Sequence, residues 1–370
     1  MNRRPSQSLQ NDSLRECRYR TTPAHAFSPT AYRKRRPFSF FLRLTGAALL
    51  LLLLCNAVLN RFVLVRQVSI PVAHLPAALD GYTLLHISDL KGAEFGTCQT
   101  GIVSGLQGER IDAVVLTGDM VSPQGNAQPL YDLLDALSEA LPNTPVWFIA
   151  GDGDPEPVSV RYASDGSCYA PWVLGASRHG ARILRAPVCL KEGDASVWLV
   201  PGADLSLDLA PEEERFRLLQ RDALASRDEI QGELARYHLA RLSEFRKAHK
   251  EIRPEDLCVA LLHAGDPGSA EQALSPAGAE TLGVDAVLSG HWLGGLFRIP
   301  GVGPLFIPSV QLPNGGLLPG EGYDGLFRAG TVWQYVSPGL GPGDAKYPAF
   351  FFRFANPPSI SLVRFFSSGV

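Results

Sequence analysis

Five short apolar runs in this chain each end on a residue able to ligate a metal ion. They are LLHIS before Asp89, AVVLTG before Asp119, VWFIAG before Asp152, VALL before His263 and AVLSG before His291. Apolar runs of this length, punctuated by glycine, read as buried strands. In open α/β sheets the chemistry collects beyond the carboxyl ends of the strands. Three Asp and two His delivered to one sheet edge therefore predict a metal site, and they restrict the chain to an α/β fold.

The segments between these runs support that class. Residues 62–70 read as a first strand and 82–88 as the next. A helical stretch near 99–108 leads to a strand at 111–117. Residues 128–141 carry apolar side chains at helical spacing until Pro142, and a strand follows at 146–150. Strand–helix–strand alternation implies a parallel sheet with crossover helices. Beyond Asp154, residues 181–189 and 196–200 read as strands. Residues 211–250 read as the longest helix, opened by Pro211 and three Glu. Leu234, Tyr237, Leu242 and Phe245 recur along it at a helical period, which predicts packing on the body, with partner or membrane docking as the alternative. Strands resume at 258–262 and 285–289, with hairpin-like runs at 326–336 and 349–354.

Charge divides the chain. Residues 1–60 carry a net +8 and the remainder −11, so nucleic-acid binding by the acidic body is not expected. The basic head precedes an uncharged run, Leu44 to Leu59, extended back to Phe38 with only Arg43 intervening. Such a run rises ~24–33 Å as a helix, about the thickness of a bilayer core. Arg33, Lys34, Arg35 and Arg36 precede it, which places residues 1–37 in the cytoplasm and the body outside. A cleaved signal peptide is the rival reading. It fits less well, because a long basic segment precedes the apolar core and Cys55-Asn56-Ala57 is a poor cleavage site. The expected organisation is a disordered basic tail over 1–37, a transmembrane helix over 38–60, and one domain over 61–370 with a helical insertion near 205–250. None of the six Cys forms a CxxC pair.

The order D…GD…GxxD…H…GH resembles that of the calcineurin-like metallophosphoesterases, from about residue 62 to the C-terminus. ISDL at 87–90, GLFRAG at 325–330, SPGLG at 337–341 and NPPSI at 356–360 are similar to segments of their small membrane-anchored bacterial branch. The resemblance implies a four-layer α/β/β/α sandwich preceded by one transmembrane helix. It also implies two divalent metals clamping a phosphoryl group. In the family the first block is DxH; here Asp89 is followed by Leu90 and Lys91. The GD block is intact at Gly118-Asp119, whose carboxylate would bridge the metals. The GNHD block reads Gly151-Asp152-Gly153-Asp154, so Asp152 replaces Asn and Gly153 replaces a proton-donating His. His263 is retained. The GHxH block reads Gly290-His291-Trp292-Leu293, so its second His is lost.

Sorted by metal, these losses fall on one site. One ion would keep Asp119, Asp152, His263 and His291, a complete oxygen and nitrogen set suited to Mn, Fe or Zn. The other would keep Asp89 and Asp119 but meet Lys91 and Leu293 in place of two His. The expected cofactor is thus one divalent ion rather than two, with the Lys91 ammonium standing in for the lost one. The expected catalytic residues are Asp119, His291 and Lys91, and the expected metal ligands are Asp89, Asp119, Asp152, His263 and His291. The expected activity is hydrolysis of phosphate mono- or diesters, lipid or envelope phosphates among them, by a single-pass membrane protein. A non-catalytic phosphate-binding or scaffold protein is the alternative, since general-acid help typically worth 10²–10⁴-fold is missing at 153. Of the other polar residues, His86 should pack in the core. Asp154 is left with nothing to orient, while Ser88, Thr117, Ser289 and Asp266 could support ligands.

Overall fold

A computed structural model describes residues 37–159, 161–162, 168–191, 196–205, 208–264, 283–299, 302–307, 322–343 and 353–368. The chain forms two compact units, residues 1–50 and 51–370. Of the first, the described part is the opening of helix α1 (Pro37–Leu59). The stretch Phe40–Leu59 of that helix is long and apolar enough to cross a membrane. Its side chains are exposed, including the Leu run. Asn56 is the exception and lies in the second unit. It is buried, its amide donates to the Arg353 carbonyl at 2.7 Å, and its side-chain oxygen accepts from the Ala355 N–H at 2.9 Å.

The second unit is built on two six-stranded sheets. The first runs β1 (Leu64–Val72), β14 (Ser359–Ser367), β2 (Thr83–Ile87), β3 (Ala113–Thr117), β4 (Val146–Ile149), β5 (Ala181–Ile183) in spatial order. The second runs β12 (Gly325–Ala329), β13 (Val332–Val336), β9 (Ala286–Ser289), β8 (Leu257–Leu261), β7 (Val197–Pro201), β6 (Val188–Lys191). Strands β2 to β5 are parallel, as are β7, β8, β9 and β13, while antiparallel pairs join β14 to β2, β12 to β13 and β6 to β7. A short antiparallel pair, β10 (Phe297–Ile299) and β11 (Gly303–Phe306), stands apart.

Alternate residues of each strand enter different layers, as a period of two requires. Leu84, Ala113 and Val115 face Val259, Leu261 and Leu288 between the sheets. Leu85, Val114 and Leu116 pack outward against Leu130, Leu133 and Leu137 of α3 (Gln128–Ala140) and Val173 of α4 (Pro171–Arg178). On the far side, Trp198, Cys258 and Val287 meet Phe245 of α6 (Glu229–Glu251). The layers are α/β/β/α, as expected. The short helix α2 (Thr100–Val103) occupies the stretch near 99–108.

Two elements differ from the sequence reading. The run 181–189 is two strands in different sheets, β5 and β6, with residues 184–187 crossing between them. The helical stretch over 211–250 is two helices, α5 (Leu209–Ser226) and α6. Asp208 and Asp228 cap their N-termini, and Arg227 between them is left-handed at φ 56°. The hairpin-like run at 326–336 is the pair β12–β13, whereas residues 344–352 and Asp266 lie outside the described residues. Cys55, Cys98, Cys168 and Cys258 are free thiols.

Candidate metal centre

The carboxyl ends of β2, β3, β4, β8 and β9 converge on one edge of the sandwich, and each brings one ligand-type residue. The turns that present them are unusual. Asp89 (φ 56°), Lys91 (φ 50°), Asp119 (φ 54°), His291 (φ 73°) and Leu293 (φ 55°) all adopt left-handed backbone. Non-glycine residues do so rarely, and such strain clusters at functional sites. The neighbouring glycines are fixed by space. A Cβ at Gly118 would lie 2.5 Å from the Gly151 nitrogen, and one at Gly290 would lie 1.7 Å from Ser88 Oγ.

His263 is the hub. It is 7 % exposed, and its Nδ1–H donates to the Thr117 carbonyl at 2.7 Å, which aims Nε2 into the cluster. Nε2 lies 2.8 Å from Asp152 Oδ1 and 3.2 Å from Asp119 Oδ1. His291 Nδ1 lies 3.2 Å from Asp152 Oδ1 and 3.3 Å from His263 Nε2. Burial opposes charge on His263, but its hydrogen bonds to Asp119 and Asp152 more than offset this and raise its pKa well above the usual imidazole value. The hydrogen bonds from His263 and His291 hold the Asp152 carboxyl well below the ordinary range. Asp119 is also held low: burial pushes it up, and His263 and Lys91 outweigh that.

The second half of the cluster surrounds Asp89, which is fully buried. Its Oδ2 accepts from the Ser88 hydroxyl and, at 3.0 Å, from the His291 N–H. Its Oδ1 has no hydrogen-bond partner. The Lys91 ammonium lies 2.8 Å from Asp119 Oδ2 and 3.9 Å from Asp89 Oδ1. The ion-pair geometry expected of Lys91 is therefore present.

Among the described residues, two trios bring one donor atom per residue within 4.8 Å of one another: Asp152, His263 and His291, and Asp89, Asp119 and His263. Their donors are carboxylate oxygens and imidazole nitrogens, a set that fits borderline divalent ions. Asp89 Oδ1, which accepts no hydrogen bond, adds a buried anionic oxygen to the second trio. Both clusters are capable of holding a metal ion.

Support around the ligands comes partly from residues the sequence reading passed over. Asp154 is not idle: its carboxylate accepts the Val121 N–H at 2.8 Å and the Gly151 N–H at 2.9 Å, tying the loop after β3 to the loop after β4. Burial raises its pKa to about 6. The Gly153 N–H donates to Asp119 Oδ1 at 2.7 Å. The loop 337–341 closes over Asp89, with the Gly341 N–H on the Asp89 carbonyl and the Leu340 N–H on that of Ser88. Buried Arg353 holds this loop through the carbonyls of Gly341 (2.8 Å) and Pro338 (2.7 Å). The SPGLG segment was the one signal in the sequence for it. His86 is fully buried and bonds Thr117 Oγ1 at 2.7 Å, as expected of a core residue. Ser289 bonds the Tyr335 carbonyl rather than a ligand. Trp292 stacks edge-on against His291 at 4.6 Å.

A family model described as calcineurin-like phosphoesterase matches residues 82–294, more than half of the chain. Two solved structures are similar at low level. A phosphopantetheinyl hydrolase from Mycobacterium tuberculosis is 12 % identical over 70 % of this chain and 91 % of its own, with a TM-score of 0.35. A putative 5′-nucleotidase from Staphylococcus aureus is 12 % identical over 77 % of this chain and 54 % of its own, with a TM-score of 0.34. No curated protein matches the sequence.

Proposed function

This chain belongs to the calcineurin-like phosphoesterase family, and from that premise we propose that it is a membrane-anchored phosphoesterase working with one divalent ion instead of two. The carrying observation is the partition of the cluster. Asp119, Asp152, His263 and His291 converge through the two imidazoles, while the Lys91 ammonium takes the other oxygen of Asp119 and faces Asp89. These four residues would hold the ion, whose chemistry when bound is Lewis-acid polarisation of a phosphoryl oxygen and activation of water. Lys91 offsets one of the two buried carboxylate charges and so lessens the repulsion that a phosphoryl group would meet there. Thr117 and Asp154 hold His263 and the Asp152 loop in place. The α1 helix is read as an uncleaved anchor, with residues 1–37 cytoplasmic by the positive-inside rule and the catalytic domain on the other side. Tethering favours substrates in or near the bilayer, such as lipid or envelope phosphates.

One observation favours a second reading, a phosphate-binding protein without turnover. Position 153 is glycine, and a Cβ there would already lie 3.0 Å from the Asp119 carboxylate, so no imidazole stands where the family places its proton donor. Full-length protein in lipid nanodiscs decides between them. Metal analysis should find about one divalent ion per chain. Hydrolysis of bis-p-nitrophenyl phosphate with added Mn²⁺ or Zn²⁺ should disappear in His291→Ala. Metal uptake without turnover selects the binding protein, and absence of bound metal refutes both.

A further inference from the structure

Beside the metal centre lies a cavity of about 420 Å³, within the size range of small-molecule sites. Asp152 and His263 form part of its wall, so it is continuous with the proposed phosphoryl site. Its floor is apolar: Ile149 and Ile183 at the ends of β4 and β5, with Val158 and Leu262. The facing wall is α6, which contributes Tyr237, His238 and Arg241.

The charges on that wall are spent within the protein. The Arg241 guanidinium bonds both oxygens of buried Asp204, at 2.7 and 3.0 Å. Arg185 pairs with Glu244 and lies 5.9 Å from the Tyr237 ring centroid. His238 stacks on Phe216 at 4.2 Å, and burial, with Arg241 and Arg215, lowers its pKa to about 4, so it is neutral at physiological pH. Nothing on the wall calls for an ionic ligand. On that wall Arg241 Nε and His238 Nδ1 are buried without a partner, which leaves two side-chain atoms for polar contacts, fewer than a nucleobase edge presents.

We propose that this cavity binds the alcohol portion of a phosphate ester as a compact apolar group, with α6 setting specificity. The assignment rests on reading the adjoining cluster as the phosphoryl site. Occupancy would remove apolar surface from water on both partners, whereas a small ester such as a methyl ester would leave the cavity empty.

The test is calorimetric binding of methylphosphonate and benzylphosphonate to full-length protein in nanodiscs, with metal content measured on the same samples. Benzylphosphonate should bind at least tenfold more tightly. Ala203→Trp, at an exposed position on the cavity rim, should reduce the preference below threefold while leaving metal content and methylphosphonate affinity unchanged. Val158→Phe, on the floor, repeats the test if the first variant does not fold. Equal affinities in metal-loaded protein, or a preference that both filling variants leave intact, would overturn the assignment and spare the metal-centre reading. A benzyl preference that persists in protein unable to bind metal would do the reverse.

Discussion

Replacing Lys91 by Met removes the ammonium and keeps the stem. In the native protein Nζ lies 2.8 Å from Asp119 and 3.9 Å from Asp89, and the two residues are 3 % and 0 % exposed. At an effective dielectric of about 20 these separations correspond to about 6 and 4 kcal/mol of attraction, before the cost of desolvating the ammonium. Removing one partner of a buried ion pair typically costs about 3–5 kcal/mol, because the remaining charge stays buried. His263 then stands alone against the carboxylates. The expected result in EDTA is a melting temperature lowered by roughly 6–12 °C, measured by thermal unfolding. Added Mn²⁺ should recover much of the loss, since a dication can neutralise the vacated carboxylates. The converse variant, Lys91→His with Leu293→His, should raise bound metal from about one to about two ions per chain. Both backbones are left-handed, which His tolerates better than most residues. A Lys91→Met protein that melts within about 2 °C of wild type would refute the idea that the ammonium compensates the carboxylates. An unchanged metal count in the double variant would refute its standing in for an ion.

Other consequences can be checked separately. Gly151→Ala should unseat Asp119 and sharply reduce metal uptake by mass spectrometry, because the new Cβ would lie 2.2 Å from Asp119 Oδ1 and 2.4 Å from the Asp119 nitrogen. Arg353→Met should destabilise by about 2–5 kcal/mol in denaturant unfolding, leaving the Gly341 and Pro338 carbonyls without their donor, and Arg353→Lys should not restore the fork. Burial lowers the His86 pKa to about 3, below its unfolded value near 6.5, so the unfolded state binds more protons between the two. That contribution is present above about pH 6.5 and is lost as the pH falls toward 3, about 5 kcal/mol in all. His86→Phe should flatten that acid limb of the stability curve.

The strand order could be read in the sequence because each ligand follows its own strand directly. Apolar runs ending in Asp89, Asp119, Asp152, His263 and His291 needed only local pattern, and the strands stand where the runs do. The α1 stretch was legible for the same reason, since its apolar surface is continuous in sequence. Local pattern failed where one run was divided between two elements, as between β5 and β6 or at left-handed Arg227 between α5 and α6.

By itself, then, the sequence determined which ligand types exist and that each follows the carboxyl end of a strand; that the strands belong to two sheets whose ends meet was decided by the fold. The tertiary structure decided how they are used. Whether Lys91 reaches Asp119, whether Asp154 has partners and whether a cavity opens between α6 and the sheet ends depend on side-chain directions across loops far apart in the chain. The left-handed turns after the strands set those directions, and no residue-type pattern encodes them. The Asp89 pocket is the clearest case. It is closed by His291, Gly341 and, through the Gly341 and Pro338 carbonyls, Arg353, residues more than two hundred positions away that only folding brings together.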